Sequence, residues 1–167
     1  MSLSPFAQKI KIVRPRLGFV GLGWIGRKRL EAVASRGSAV IAAVADPVPE
    51  RMHELAGLAR GATRFDRFEE MLQMDLDGMV IATPSVQHKA QVAAALDAGL
   101  AVFCQKPLAR ASDEVQTLLD KAAAADRLLG IDLSYRHCHG VRLMQDLVRS
   151  GEIGKIFAAN FTFHNAY

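Results

Sequence analysis

The sequence predicts a doubly wound α/β fold, in which helices cover both faces of a parallel sheet. Two observations indicate this fold. Short apolar runs alternate with helical patterns along the chain, and these runs are continuous rather than alternating with polar residues, as strands buried on both faces are. With 167 residues, half of them hydrophobic and 23% charged, the chain can bury a core of ordinary size and is not disordered.

The elements follow one another in regular alternation. We predict strands at residues 17–20, 39–45, 62–65, 78–82, 100–104 and 128–133, and helices at residues 24–36, 49–60, 67–74, 86–98, 112–125 and 141–150. Pro49 lies near the first turn of its helix, where a missing N–H costs nothing, and Ser112 is a cap-like residue. Gly99 and Gly151 end the helices that precede them.

A last strand at residues 155–164 is predicted on different grounds. Phe157, Phe161 and Phe163 share one face, whereas the opposite face is mixed, so this strand belongs to a sheet with one strongly apolar side. The sequence reaches Tyr167 without supplying a surface for those phenylalanines. We therefore expect residues 135–167 to begin a second, mostly missing α/β domain, after an N-terminal extension (1–15) and a complete first domain (16–134).

Composition and charge exclude several classes of function. The net charge is only +4, and no nucleic-acid reading module accompanies the basic residues, so we predict no nucleic-acid partner. No apolar run approaches the roughly 20 residues of a membrane span, and no signal peptide is recognisable, so we predict no membrane association and a cytoplasmic location. The two cysteines, Cys104 and Cys138, form no disulfide framework.

The stretch from Gly21 to Gly26 has the spacing G-x-G-x-x-G, after a predicted strand and at the start of a helix. Gly21 permits a tight turn, Gly23 lets a backbone approach a diphosphate, and Gly26 lets the helix lie close to the strand. The helix N-terminus then offers free N–H groups to phosphates. Trp24 and Ile25 either pack or shield the cofactor. Together these features predict a dinucleotide site on a Rossmann fold.

Asp46 follows Gly26 by 20 residues, at the end of the next predicted strand. Its carboxylate can accept hydrogen bonds from both ribose hydroxyls, and its charge would repel a 2′-phosphate, so NAD is favoured over NADP. Arg51 is the remaining candidate for pairing such a phosphate. Arg27 either adds charge near the phosphates or lies on a solvated helix face. The alternative to a dinucleotide site is a glycine-rich turn with a capping aspartate.

Two further stretches, residues 81–88 (IATPSVQH) and 102–109 (VFCQKPLA), each follow the end of a predicted strand. With GLGWIG and residues 44–47 (VADP), they resemble the Gfo/Idh/MocA oxidoreductases, and the similarity extends from about Arg16 to the end of the chain. The resemblance implies a Rossmann domain followed by an α/β domain with a large open sheet. It also implies oxidation or reduction of a sugar, cyclitol or related polyol with NAD or NADP.

The resemblance also implies roles for individual residues. Lys106 matches a lysine that contacts substrate and assists proton transfer, while Thr83, Pro84 and His88 match positions at the nicotinamide end of the cleft. Gln105 stands where the family pattern has glutamate, so any electrostatic role of that carboxylate is lost or moved. A lysine at the carboxyl end of a parallel strand suits proton transfer from an alcohol. For Lys106, the alternative to a catalytic role is a surface lysine before a turn proline. For His88, the alternative to a place in the cofactor cleft is a solvated side chain.

The segment YRHCHG brings two histidines and a cysteine together, but adjacent residues of an extended segment alternate sides and no second cluster supplies further ligands, so we predict no metal site. Tyr135 and Arg136 either face the substrate cleft or serve packing and a salt bridge near the domain boundary.

We therefore predict that the chain is the cofactor half of a dehydrogenase, inactive alone, whose remaining catalytic residues lie in the missing domain. The resemblance implies that the parent is a homo-oligomer through the sheet of that domain. The alternative function is a non-catalytic dinucleotide-binding sensor or scaffold.

Overall fold

A single six-stranded sheet organises the first part of the chain in this structure, a computed structural model that describes residues 14–162 and 164. The strands are β1 (Arg16–Val20), β2 (Val40–Ala45), β3 (Thr63–Phe65), β4 (Gly78–Ile81), β5 (Ala101–Gln105) and β6 (Leu129–Asp132). The helices are α1 (Trp24–Arg36), α2 (Pro49–Glu54), α3 (Phe68–Met71), α4 (Ser85–Asp97), α5 (Ser112–Ala124) and α6 (His139–Ser150), with a 3-10 helix at Ser134–His137.

The strand order is β3-β2-β1-β4-β5-β6, and every neighbouring pair is parallel. The chain therefore builds one half of the sheet outward from β1, returns, and builds the other half from β4. The two halves meet between β1 and β4, and a crevice at the carboxyl ends of such strands is where open α/β sheets bind ligands. The predicted α/β Rossmann fold is confirmed.

The core explains why helices lie on both faces of this sheet. Phe19 packs in one buried cluster with Leu30 of α1 and Met52 of α2. Its neighbour Val20 packs in a second cluster with Leu96 of α4 and Leu118 of α5. Because successive strand residues point to opposite faces, continuous apolar strands require two covering layers.

Cys104 lies in the second of these clusters and is fully buried, as a small core residue. Burial raises the pKa of its thiol to about 12, because the thiolate would lose its hydration. Cys138 is exposed, and the two cysteines are not bonded to each other.

Two helices are shorter than predicted. Helix α2 ends at Glu54 instead of residue 60, since the chain continues in hydrogen-bonded turns and Gly61 takes a positive φ of 80°. Helix α3 has four residues where eight were predicted. The other elements of the sheet and its helices agree with the prediction within one or two residues.

The chain divides into two compact units, one ending at Asp132 and the other beginning at Leu133. Most of the predicted N-terminal extension, residues 1–13, lies outside the described residues. No helix in the described part of the chain combines the length and the apolar character that a membrane span needs.

The second unit contains the 3-10 helix, which was not predicted, and α6, which begins two residues earlier than predicted. The prediction of a strand at residues 155–164 was wrong for residues 155–162 and 164, which form no strand. Phe157 and Phe161 are 97% and 84% exposed. A strand is held by hydrogen bonds to a neighbour, and the alternating pattern of this segment finds none among the described residues. Phe163 lies outside them.

Candidate functional site: the carboxyl edge of the sheet

The loop between β1 and α1 is built so closely that two of its glycines have no room for a side chain. Gly21 has a φ of 80°, and a Cβ there would lie 2.6 Å from the carbonyl atoms of Ala82. A Cβ on Gly26 would lie 1.8 Å from the Gly21 carbonyl oxygen. The loop is also tied to the next strand, because the Gly21 N–H donates to the Ala45 carbonyl at 3.0 Å.

Gly23 differs from both of these glycines. A Cβ at this position would meet nothing within 4 Å, and its φ of −61° suits any residue. The fold itself therefore does not require a glycine here. The space next to the Gly23 Cα is open, so a diphosphate would have room to approach the backbone at this position.

Gly23 is also the N-cap of the 13-residue helix α1. No side chain caps this helix, and its first turn contains no acidic residue. The first N–H groups of any helix lack an intrahelical acceptor, so those of α1 are available, together with the positive end of the helix dipole, to an anionic ligand at this end of the helix. Trp24 is 78% exposed at the start of the helix and Ile25 is half-buried.

Asp46 lies beside this loop and is 1% exposed. Its Oδ2 accepts a hydrogen bond from the Leu22 N–H at 2.7 Å, and its Oδ1 accepts one from the Val48 N–H at 2.9 Å. Nη1 of Arg51 lies 3.3 and 3.4 Å from the two oxygens. The carboxylate thus fixes the glycine loop against the end of β2, and Arg51 covers it.

Arg27 lies one turn into α1, but its guanidinium is paired with Glu31 and Glu54, each at 2.9 Å. The hydrogen bond to Glu31 is the main cause that raises the pKa of Arg27. Since these partners satisfy the charge on the helix surface, the structure favours a solvated helix face over a phosphate contact for Arg27.

A cavity of about 220 Å³ opens at the carboxyl ends of β1, β2, β3 and β4. Gly21, Asp46 and Thr83 all line it, so three predicted residues from distant parts of the sequence meet at one crevice. The Thr83 hydroxyl donates to Oε1 of Gln91 on α4 at 2.5 Å, and Pro84 is the N-cap of that helix. Gln91 had not been singled out in the sequence.

His88 is placed behind this crevice rather than in its wall. The residue is 1% exposed, and both ring nitrogens face carbonyl oxygens. Nδ1 lies 2.6 Å from the Pro107 oxygen and Nε2 lies 2.8 Å from the Thr83 oxygen. The ring therefore links the loop after β4 to the loop after β5. This arrangement favours a supporting role over direct contact with a cofactor.

Lys106 is exposed and begins the loop after β5, where the Lys106–Pro107 peptide bond is cis. In the described part of the chain its ammonium group forms no salt bridge. Its N–H donates to Oε1 of Gln105 at 2.9 Å, and Nε2 of Gln105 donates to Oδ2 of Asp132 at 2.9 Å. Arg29 of α1 donates to the same carboxylate oxygen. Asp132 and Arg29 had not been singled out in the sequence.

Tyr135 and Arg136 belong to the second unit, where both lie in the 3-10 helix. Tyr135 is 63% exposed, and Arg136 lines a surface cavity together with Arg142 of α6. Their assignment to a substrate cleft stays a prediction. His137 of the YRHCHG segment faces Nη2 of Arg142 at 3.0 Å through Nδ1, and the described residues contain no cluster of three metal-binding side chains.

The glycine loop, the aspartate at the end of β2 and the sheet order together define a Rossmann domain of the NAD-binding class. The model of an oxidoreductase family with an NAD-binding Rossmann fold, Gfo/Idh/MocA, matches residues 15–133. The chain belongs to the Gfo/Idh/MocA oxidoreductase family.

Two related proteins agree with this assignment. The rhizopine catabolism protein MocA of Rhizobium meliloti is 32% identical over 147 residues, which cover 87% of this chain and 46% of MocA. Inositol 2-dehydrogenase of Rhodococcus erythropolis is 29% identical over 153 residues, covering 90% of this chain and 44% of the enzyme. The chain thus spans less than half the length of these relatives.

Solved structures show the same fold. Scyllo-inositol dehydrogenase from Lactobacillus casei, with bound NAD(H) and scyllo-inositol, superposes with a TM-score of 0.77 at 28% identity, covering 85% of this chain and 43% of that one. The WlbA dehydrogenase from Bordetella pertussis, in complex with NADH and UDP-GlcNAcA, superposes with a TM-score of 0.80 at 28% identity, covering 87% and 45%.

Proposed function

We propose that this chain is the cofactor-binding part of an NAD-dependent dehydrogenase that acts on a cyclitol, sugar or related polyol. The observation that carries the proposal is Gly23: no atom lies within 4 Å of its Cβ position, and it is the N-cap of a helix that no side chain caps, in a loop held by a buried aspartate. The relatives named as inositol dehydrogenases and MocA support the substrate class.

The predicted site residues would each hold a different part of the cofactor. The first amides of α1, with Gly21, Gly23 and Gly26, would hold the diphosphate, and Trp24 and Ile25 would shield it. Asp46 would hold the adenosine ribose. Thr83, Pro84 and Gln105 would lie toward the nicotinamide, which supplies two-electron oxidation or reduction of an alcohol or ketone carbon when it is bound.

NAD is proposed over NADP because Asp46 is fully buried next to the loop and would repel a 2′-phosphate in a setting with little solvent screening. Arg51 would favour such a phosphate, but it is half-exposed and already lies against Asp46. To reach the carboxylate, the ribose hydroxyls would displace this long, flexible side chain.

Lys106 is proposed as the catalytic residue. When an alcohol is oxidised, its oxygen releases a proton, and an amine beside that oxygen can accept the proton or stabilise the developing alkoxide as a cation. The exposed ammonium group, free of salt bridges in the described residues, is available to a substrate at the carboxyl edge of the sheet.

The remaining parts of the proposal concern the complete protein. Residues 135–167 would begin the substrate domain, with Tyr135 and Arg136 near its cleft, and the exposed Phe157 and Phe161 would be covered by the rest of that domain. Its open sheet would form a homo-oligomer interface.

The direct test is titration of the chain with NADH and NADPH, followed by nicotinamide fluorescence. NADH should saturate and should bind more tightly than NADPH. Gly23→Ala should raise the dissociation constant for NADH at least about tenfold, since its methyl group takes the space of the diphosphate. Gly57→Ala, another position where a Cβ meets nothing within 4 Å, is the matched control and should bind like the wild type. Equal binding by both variants would contradict the proposed site.

Lys106→Ala separates a dehydrogenase from a non-catalytic sensor. In this chain the substitution should leave NADH affinity within about twofold, because the lysine would act on substrate oxygen rather than hold the dinucleotide. In the protein that also carries the substrate domain it should lower kcat at least about 100-fold with a polyol substrate. A complete protein with no activity on any polyol, but with tight NADH binding, would favour the sensor.

A further inference from the structure

Three side chains link helix α1 to the loop that carries Lys106. Arg29 donates to Oδ2 of Asp132 at the end of β6, and Nε2 of Gln105 at the end of β5 donates to the same oxygen at 2.9 Å. The Oε1 atom of Gln105 accepts the Lys106 N–H at 2.9 Å. The buried carboxylate of Asp132 thereby fixes the orientation of the Gln105 side-chain amide, which in turn accepts the backbone N–H of Lys106.

The carboxylate at the centre of this linkage is buried, so it depends on these particular hydrogen-bond donors. The Asp132 side chain is 4% exposed, whereas that of Arg29 is 28% exposed. A carboxylate removed from water needs donors around it, and Arg29 and Gln105 supply them. Gln105 lies directly beside Asp132 in the parallel pairing of β5 with β6. The strand register therefore brings the two side chains together.

The chemistry of the amide explains why residue 105 is glutamine. An amide has both a donor and an acceptor, and here Nε2 serves Asp132 while Oε1 serves the Lys106 N–H. A glutamate could still accept from Lys106 but could not donate to Asp132, and it would place a second carboxylate against a buried one. At the end of the β5–β6 pair, the carboxylate is therefore supplied by Asp132 of β6 and not by residue 105 of β5.

We propose that Asp132 acts through Gln105 as a positioning residue for Lys106. We also propose that Gln105 and Asp132 are a matched pair in which only one member can be acidic. The positioning role rests on the proposed function, since it matters for catalysis only if Lys106 contacts substrate. The hydrogen-bonded linkage itself can be measured in this chain without cofactor.

The experiment compares Gln105→Glu, Asp132→Asn and the double variant with Gln116→Glu as the control. Gln116 also donates to an aspartate, Asp120, at 2.8 Å, but on the exposed surface of α5. By urea unfolding, Gln105→Glu should lower the folding equilibrium constant at least about tenfold, and the control should change it less than about threefold. The double variant should recover most of the loss, because an asparagine at 132 can donate to a glutamate at 105.

A second measurement separates positioning from general stability. In amide-resolved NMR spectra, Asp132→Ala should shift the Lys106 amide resonance by several line widths, while the amides of Val20 and Val44 in the sheet core keep their positions. The proposal is overturned if Gln105→Glu is as mild as Gln116→Glu, if the double variant recovers nothing, or if the Lys106 amide does not move. Failure of NADH to bind would instead contradict the proposed function and leave these results unchanged.

Discussion

Replacing Gly26 with alanine is expected to destabilise the first unit by about 3 kcal/mol or more and to abolish dinucleotide binding. The added Cβ would lie 1.8 Å from the Gly21 carbonyl oxygen and 3.2 Å from the Ala82 side chain. The first contact is with backbone, which cannot rotate away as a flexible side chain can. Helix α1 would have to move away from β1, and Leu30, which is fully buried on that helix, would move with it.

Urea denaturation of Gly26→Ala should therefore show a lower midpoint, and the variant should give no saturable signal with NADH. Gly23→Ala is the informative partner, because it should keep the wild-type midpoint and lose only the affinity. The pair thus separates a glycine that the fold needs from a glycine that only a ligand needs. Wild-type stability in Gly26→Ala would show that the loop is not packed as closely as the structure has it.

The glycine loop and the sheet could be predicted because their signals are local. The spacing of three glycines, the position of Asp46 after the next strand and the continuous apolar runs each depend on a few neighbouring residues. The structure brings Gly21, Asp46 and Thr83 to one cavity, as the parallel order of the strands requires.

The support of Lys106 could not be predicted, because it depends on register. The predicted strands ended at residue 104 and spanned 128–133, so Gln105 lay outside its strand and had no partner. In the structure Gln105 pairs with Asp132, 27 residues later in the chain. An acidic residue at the carboxyl end of a predicted strand was the signal available in the sequence, but its partner follows only from the alignment of β5 with β6.

For the segment at residues 155–164, the sequence predicts a strand that its described residues do not form. Its alternating pattern predicts a strand, but pattern alone specifies which face would be apolar and does not supply a neighbour. Similarly, the helical pattern at residues 49–60 extends past Glu54 in the sequence, whereas the structure ends α2 there and continues in turns around Gly57 and Gly61.

His88→Ala is expected to lower the free energy of unfolding by about 2–4 kcal/mol. Alanine removes the ring whose nitrogens lie against the Thr83 and Pro107 carbonyl oxygens, and it leaves a space where a fully buried ring had been. The two loops joined by this ring carry Thr83 and Lys106, so their loss of order should also weaken NADH binding. His53→Ala is the matched control, since His53 is exposed on α2 and its removal should cost less than about 0.5 kcal/mol.

Binding measured where each variant is fully folded distinguishes local support from general instability. If His88 holds the two loops together, His88→Ala should bind NADH more weakly than the wild type even at a temperature well below its own unfolding transition. Asparagine at position 88 can donate to one carbonyl and should recover part of the stability. Were His88→Ala as stable as His53→Ala, the ring would not hold together the loops after β4 and β5, and the arrangement of Lys106 would have to depend on Gln105 and Asp132 alone.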